Sequence, residues 1–205
     1  MKAGRFGWLG MALLAGVLGL ASGARASQGP LEVVRAGTER VLAILEAYQP
    51  GQAISVRAHR EEILDIVHDY FDFREMAMRS LGPQWKKLSS AERDEFVDAF
   101  ERLLFDNYVD RVDTYTRADE QVVFDGEEIR EPYAQVKSRV VGYRDGDATV
   151  DYRLKRKSEG WMVYDVVVEG VSLVNNYRSQ FNSILARKSF EHLLTEMREK
   201  KIRVD

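Results

Sequence analysis

Residues 133–168 read YAQVKSRVVGYRDGDATVDYRLKRKSEGWMVYDVVV. Apolar side chains recur at every second position of this stretch, and this alternation is the strongest indication of the fold. Two polar turns, Asp-Gly-Asp at 145–147 and Ser-Glu-Gly at 158–160, divide it into three runs, and a shorter run over residues 121–124 precedes them. Alternation in consecutive runs joined by tight turns predicts a four-stranded antiparallel meander with one apolar face.

The segments on either side of these strands carry the three- and four-residue spacing of amphipathic helices. This spacing predicts a helix over residues 30–48, a second helix capped by Ser55 and a long one from Ser89, and helices return after the last strand. Helices before and after an antiparallel sheet predict an α+β fold, in which a curved sheet packs against several helices. Periodicity leaves open whether the sheet and the helices close on each other or stay apart around a cavity.

Several helix starts are marked by side chains that can accept hydrogen bonds from free backbone N–H groups. Residues 72–75 (DFRE) and 89–92 (SSAE) have the spacing of a capping box, in which the first and the fourth side chain satisfy each other's backbone donors. Ser172 and Ser189 precede apolar stripes in the same way and predict the starts of the two last helices.

The first 26 residues have the three parts of a secretory signal peptide. Lys2 and Arg5 begin it, no charge occurs over residues 6–24, and an Ala-Arg-Ala cleavage pattern ends at residue 26. The alternative is an uncleaved membrane anchor, because the 19 uncharged residues approach the ~20 that a spanning helix needs. The cleavage pattern and the glycines at positions 7, 10, 16 and 19 favour removal. We expect a signal peptide over residues 1–26, a single domain over 27–205 and a periplasmic location.

Composition excludes several classes of protein. The 205 residues contain no cysteine, which excludes thiol catalysis, disulfides and cysteine-ligated metals. The 30 Lys and Arg residues against 33 Asp and Glu residues argue against a nucleic-acid partner, since proteins that follow phosphates carry a basic surplus.

A search for catalytic chemistry finds no established motif. His59, His68 and His192 lie far apart without the spacing of metal ligands, so no metal site is predicted. Asp165 and Glu169 flank the last strand, but four residues of strand separate them by about 13 Å, too far for a glycosidase acid pair. A small periplasmic enzyme that uses Asp165 or Glu169 as a base stays open as the rival hypothesis.

The sequence resembles the MlaC family, also known as toluene-tolerance proteins. Residues 161–181 (WMVYDVVVEGVSLVNNYRSQF) resemble the C-terminal signature of the family, and residues 71–85 (FDFREMAMRSLGPQW) resemble its N-terminal motif. Residues 190–202 are similar to its closing helix, so the resemblance spans about residues 31–203. A related branch of the family is associated with hopanoid biosynthesis, and the sequence leaves the two branches open.

The resemblance implies a function in lipid transport. It implies a periplasmic phospholipid-binding shuttle of an Mla-type ABC transport system, which carries lipid between the inner and outer membranes and maintains outer-membrane asymmetry. The implied partners are an inner-membrane ABC transporter with an MCE-domain ring and an outer-membrane lipoprotein–porin complex. It also implies a hydrophobic cavity between sheet and helices, with a phospholipid as cargo, no cofactor and no catalysis. We expect a monomer, as for a diffusing carrier.

The resemblance and the alternation together predict which residues contact the lipid. They belong to the even-numbered strand face, to the segment after the last strand and to the long helix. They are Val136, Val140, Val150, Tyr152, Leu154, Tyr164, Val166, Val168, Val171, Leu173, Phe100, Leu103 and Tyr108. Arg178, in the Asn-Tyr-Arg part of the signature, is the predicted head-group contact, with a structural ion pair as the alternative.

Overall fold

The structure is a computed structural model that describes residues 28–46, 60–112, 121–142, 146–199 and 201–202. The predicted signal peptide at 1–26 and the predicted cap Ser55 lie outside these residues.

The described residues form six α-helices, one 3-10 helix and five β-strands. The helices are α1 (Pro30–Glu46), α2 (Arg60–Tyr70), α3 (Phe73–Leu81), the 3-10 helix (Gly82–Lys87), α4 (Ser90–Val112), α5 (Leu173–Leu185) and α6 (Phe190–Arg198). The strands are β1 (Gln121–Arg130), β2 (Tyr133–Val141), β3 (Ala148–Lys157), β4 (Gly160–Val168) and β5 (Val171–Ser172).

The strands form one antiparallel sheet in the order β1-β2-β3-β4-β5, which confirms the predicted α+β fold and the meander. The predicted count of four strands is wrong, because β5 adds two residues, with Val171 opposite Val168. Glu169 and Gly170 connect the two strands with φ angles of 49° and 78°, as a tight two-residue hairpin requires. A strand of this length is too short to show alternation in the sequence.

β1 also differs from its prediction, which ended at residue 124. The strand continues to Arg130 through a β-bulge between Phe124 and Gly126. Gly126 has a φ of 135°, which a side chain would disfavour. The extra residue breaks the two-residue period, and mostly exposed side chains follow it, so the pattern did not reveal this half of the strand.

A second β-bulge, in β4, determines which side chains lie on each face of the sheet. Arg153 pairs with Asp165, but Leu154 pairs with Val163, so Tyr164 is an extra residue in the ladder. Val163 therefore shares a face with Leu154, which we name the apolar face. Arg153 and Asp165 lie on the other side, which we name the polar face.

Helices α1 and α2 pack on the apolar face. Val33 and Val34 of α1 and Ile66 and Tyr70 of α2 form a core with the sheet. The sheet residues of this core are Ala134, Val136, Leu154, Trp161 and Val163. A Cβ on Gly37 would lie 3.0 Å from the Tyr70 ring, so a residue without a side chain allows α1 and α2 to approach closely.

The chain crosses from the apolar to the polar face at the edge of β4. Phe71 forms a parallel bridge with Val163, and the Asp72 N–H donates to the Val163 carbonyl at 2.8 Å. The Asp72 carboxylate accepts from the Glu75 N–H at 2.9 Å and starts α3 on the other side. The predicted capping box is therefore only half formed: the Asp72 N–H binds β4, and the Glu75 carboxylate binds Arg79 instead.

The other predicted caps that lie within the described residues are confirmed. The Ser89 N–H donates to the Glu92 carboxylate at 2.7 Å, and the Glu92 N–H donates to the Ser89 hydroxyl at 3.3 Å, which completes a capping box. Ser172 and Ser189 each accept a hydrogen bond from the backbone N–H three residues further on.

A second core joins α3, α4, α5 and α6 beyond the polar face. Its centre is aromatic: the Phe100 ring meets the rings of Tyr177 and Phe181 edge-on, with centroids 5.2 Å and 5.6 Å away. Phe96 stacks on Phe100 at 5.9 Å, and all four side chains are fully buried. We name the whole second core, which has these four side chains at its centre, the helical core.

Phe100→Ala should lower the free energy of unfolding by about 3–5 kcal/mol, because it removes a fully buried ring and leaves a cavity among three others. Urea denaturation followed by circular dichroism measures this change. Ile129→Ala serves as a control, since Ile129 is 48% exposed, and its cost should stay below about 0.5 kcal/mol. A cost for Phe100→Ala as small as that of the control would contradict a packed helical core.

Candidate functional site

The pairing of β2, β3 and β4 brings eight of the predicted lipid-contacting residues to the apolar face or its edge. Tyr152 lies opposite both Val136 and Val166, and Val150 lies opposite Val168. The eight residues are Val136, Val140, Val150, Tyr152, Leu154, Val166, Val168 and Val171. The alternation in the sequence thus identified most of this surface.

Along β3 and β4, the exposure of side chains on the apolar face rises from the end covered by α1 and α2 to the other end. Val136 and Leu154, beneath α1 and α2, are 0% exposed. Val150 is half-buried, Val168 is 45% exposed and Val171 is 57% exposed. We name the group of Val140, Val150, Val168 and Val171 the open end. Aliphatic side chains that are left partly in contact with water form a surface that gains free energy when an apolar ligand covers it.

Ser138 is the polar residue on β2 between Val136 and Val140. It is 2% exposed, and its hydroxyl donates to the Val150 carbonyl at 2.6 Å. The hydroxyl proton is therefore satisfied within the sheet and is not presented to a ligand.

Four predicted contacts lie elsewhere. Phe100 and Leu103 are buried in the helical core, and Leu173 packs against that core. Tyr164 lies on the polar face because of the bulge in β4, and its ring is 4.0 Å from the Arg79 guanidinium. These four side chains therefore do not lie on the apolar face, and their contact with a lipid stays a prediction. The side chain of Tyr108 lies outside the described residues.

The polar face is held to α3 by a buried carboxylate. Glu75, whose side chain is 7% exposed, accepts from Arg79 at 2.7 Å and 3.0 Å and from Lys155 at 3.0 Å and 3.1 Å. Burial by itself raises the pKa of Glu75, but the hydrogen bonds from Lys155 and Arg79 outweigh it and hold the pKa below its ordinary value. Glu75 is thus an ionised link between α3 and β3.

A second buried carboxylate links the polar face to α5. Asp165 is 2% exposed, and its Oδ2 accepts from Arg153 at 3.0 Å and from the Ser172 hydroxyl at 2.6 Å. Its Oδ1 accepts from the Val174 N–H at 3.0 Å. These bonds fix the start of α5 against the sheet.

Arg178 lies on the polar side of the sheet, away from the apolar face. It lines a recess of about 220 Å³ together with Arg79, Arg153, Tyr164 and Asp165. The guanidinium packs on the backbone of the neighbouring turn, where a Cβ on Gly82 would lie 3.1 Å from its Nη2. Arg178 therefore lies on the side of the sheet opposite the apolar face, and its role as a head-group contact stays a prediction.

The two acids of the rival enzyme hypothesis do not form a pair. Asp165 has the partners given above, while Glu169, in the turn between β4 and β5, accepts from the Thr149 N–H and hydroxyl. Among the residues that the structure describes, no group of three His, Asp or Glu side chains is arranged to hold a metal ion. His68 and His192 instead pair with Glu101 and Glu196.

Sequence reasoning did not identify the contacts of the polar face. Arg153 and Lys155 occupy alternate positions of β3, and alternation alone predicts that such positions face solvent on a half-buried strand. One signal was available, because Glu75 and Arg79 have the i, i+4 spacing of an ion pair on one face of a helix. Which strand they meet depends on the crossing at the edge of β4.

Glu75→Gln should destabilise the protein by about 1.5–3 kcal/mol at pH 7, because it leaves Arg79 and Lys155 without their carboxylate. The stabilisation by Glu75 is complete above its ordinary pKa of 4.5 and is lost as the pH falls through the lower value in the folded protein. The difference between variant and unaltered protein should therefore shrink below about pH 4.5. Urea denaturation at several pH values measures it.

Glu128→Gln is the matched control, since Glu128 pairs with Arg130 on the surface at 51% exposure. Its cost should stay below about 1 kcal/mol. If Glu75→Gln costs as little as this control, or costs the same at every pH, Glu75 is not a buried ionised link.

None of the helices in the described residues is both long and apolar enough to cross a membrane. A family model described as MlaC protein matches residues 35–199. The intermembrane phospholipid transport system binding protein MlaC of Haemophilus influenzae is 21% identical over 178 residues, which cover 85% of this chain and 83% of that protein.

A solved structure has the same fold. It is a phospholipid-binding protein from Ralstonia solanacearum in complex with a phospholipid, and it matches with a TM-score of 0.75 at 19% identity. The match covers 84% of this chain and 97% of that one. The family match contains the 71–85 motif and the 161–181 signature, whose residues build the crossing at β4 and the start of α5. By its sequence and its fold, this chain belongs to the MlaC family.

Proposed function

We propose that this protein binds a phospholipid by its acyl chains on the apolar face and carries it between membranes. The observation that carries the proposal is the rise in exposure along this face, from Leu154 at 0% to Val168 at 45%. An acyl chain that lies along the strands would cover the open end and extend toward the core under α1 and α2. The H. influenzae relative and the R. solanacearum protein, named for phospholipid transport and phospholipid binding, support this assignment.

The energetics favour a carrier over an enzyme. Removing about 30 methylene groups from water at ~0.8 kcal/mol each yields ~24 kcal/mol before the cost of ordering the lipid. Spontaneous release is then slow, and the carrier needs partners that open it. The buried carboxylates Glu75 and Asp165 accept hydrogen bonds from structural partners, so their role is to hold helices to the sheet.

The proposed partners are those that the resemblance to the MlaC family implies. We infer that the protein acts in the periplasm after removal of residues 1–26. There it exchanges lipid with an inner-membrane ABC transporter bearing an MCE-domain ring and with an outer-membrane lipoprotein–porin complex. This exchange maintains the asymmetry of the outer membrane. A monomer with one lipid-binding domain over residues 27–205 suffices for this role, and it needs no cofactor.

Native mass spectrometry of the protein purified from the periplasm, followed by lipid extraction, tests this function. We expect a stoichiometric diacyl phospholipid. A hopanoid mass would assign the protein to the hopanoid-associated branch instead. A protein that stays free of lipid, even after incubation with liposomes, would overturn the carrier function and favour the rival enzyme hypothesis.

Val168→Glu should lower the content of co-purified phospholipid at least about tenfold, because a carboxylate at the open end would have to lose water against an acyl chain. The variant should stay folded, since Val168 is 45% exposed and the new charge can reach solvent when no lipid is bound. Mass spectrometry of extracted lipid and the circular dichroism spectrum measure the two effects.

Ile129→Glu is the matched control, since Ile129 has a similar exposure of 48% but lies at the far end of β1. It should retain its lipid. If Val168→Glu keeps as much phospholipid as Ile129→Glu, the open end is not where the acyl chains lie.

A further inference from the structure

The recess on the polar face has the composition of an anion site. It has a volume of about 220 Å³, and three guanidinium groups line it, those of Arg79, Arg153 and Arg178. Its other walls are Met78, Gly82, Tyr164, Asp165, Val174 and Asn175. The sheet lies between this recess and the apolar face.

The three arginines differ in how far their donors are used. Arg79 donates Nε and Nη2 to Glu75, and Arg153 donates Nη1 to Asp165, so each keeps N–H groups that these carboxylates do not use. Within the described part of the chain, Arg178 has no hydrogen-bond or ion-pair partner, although its guanidinium is held against Gly82. The recess is therefore lined by arginines from three elements, α3, β3 and α5, each with N–H donors that the two carboxylates leave unused.

The charges of this region do not cancel. Among the described residues, Arg79, Arg153, Arg178 and Lys155 place four positive charges around the two buried carboxylates of Glu75 and Asp165. Both carboxylates are buried and already bonded, so they do not fill the recess. Arg79 is also fixed by the Tyr164 ring at 4.0 Å, and such preorganised guanidinium groups bind oxyanions with little loss of side-chain freedom.

We propose that this recess binds a phosphate group that does not belong to the transported lipid. Guanidinium groups from several directions suit a tetrahedral oxyanion, since each of its oxygens can accept from a different arginine. A carboxylate offers only two oxygens in one plane. The phosphate comes either from a soluble molecule or from a phosphomonoester lipid at a membrane surface, and both sources present the same chemistry to the recess.

Titration of the ¹⁵N-labelled protein with inorganic phosphate, followed by NMR, tests the site. Saturable shifts are expected at the backbone amides of Gly82 and Asn175 with phosphate up to about 10 mM, tenfold above a millimolar Kd. Arg178→Gln should weaken this binding about tenfold, through the loss of one charge-assisted contact. Arg187→Gln is the matched control, because Arg187 is an exposed arginine outside the recess, and it should change the affinity less than about twofold.

Flotation with vesicles distinguishes the two sources. Binding to phosphatidylcholine vesicles that contain phosphatidic acid, but not to phosphatidylcholine alone, assigns the site to a lipid head group, provided that Arg178→Gln abolishes it. Binding of inorganic phosphate without flotation assigns it to a soluble phosphate. Absence of saturable shifts up to about 10 mM phosphate together with no flotation, or equal binding by Arg178→Gln and Arg187→Gln, overturns the proposal.

The test separates this inference from the proposed lipid transport. Arg178→Gln should keep its co-purified phospholipid, since Arg178 lies away from the apolar face. Val168→Glu should lose the lipid and still bind inorganic phosphate. If Arg178→Gln lost both, the recess would be part of the lipid site and the proposal would fail, while lipid binding would stand.

Discussion

The single extra residue in β4 determines how both layers of helices attach to the sheet. Side chains of a strand alternate between faces, so a slip of one residue exchanges every side chain beyond it. Without the bulge at Tyr164, Val163 and Trp161 would leave the core beneath α1 and α2, or Asp165 would enter the apolar face. The bulge allows one strand to give apolar side chains to one layer of helices and a buried carboxylate to the other.

The helices on the two faces of the sheet are attached to it by different kinds of contact. α1 and α2 are held by aliphatic and aromatic contacts, which carry no direction and tolerate a face that is covered at one end and open at the other. α3 and α5 are held by Glu75 and Asp165, whose hydrogen bonds demand fixed partners. A rigid polar attachment behind the sheet leaves the apolar side free to accommodate a ligand, which is the arrangement a lipid carrier needs.

Much of the fold could be predicted from local patterns. The alternation of β2 and β3 identified Val136, Val150 and Leu154 as one face, and the serine caps located the starts of α5 and α6. The predicted lipid contacts that lie off the apolar face have one feature in common. The position of each depends on a contact with residues distant in sequence. The spacing of Phe100 on its helix predicts a buried residue, but it does not distinguish burial against the apolar face from burial in the helical core. Only packing against Tyr177 assigns Phe100 to the helical core.

The α+β class, the meander, most of the apolar face and the family can be predicted from the sequence, because period-two and period-3.6 patterns and a long contiguous signature are local properties. The face of Tyr164, the burial of Glu75 and the position of Arg178 in a recess of arginines emerge only when the elements pack together. These depend on a bulge, a crossing at a sheet edge and the docking of α5. Each brings together residues up to about a hundred positions apart, whose proximity no local pattern encodes.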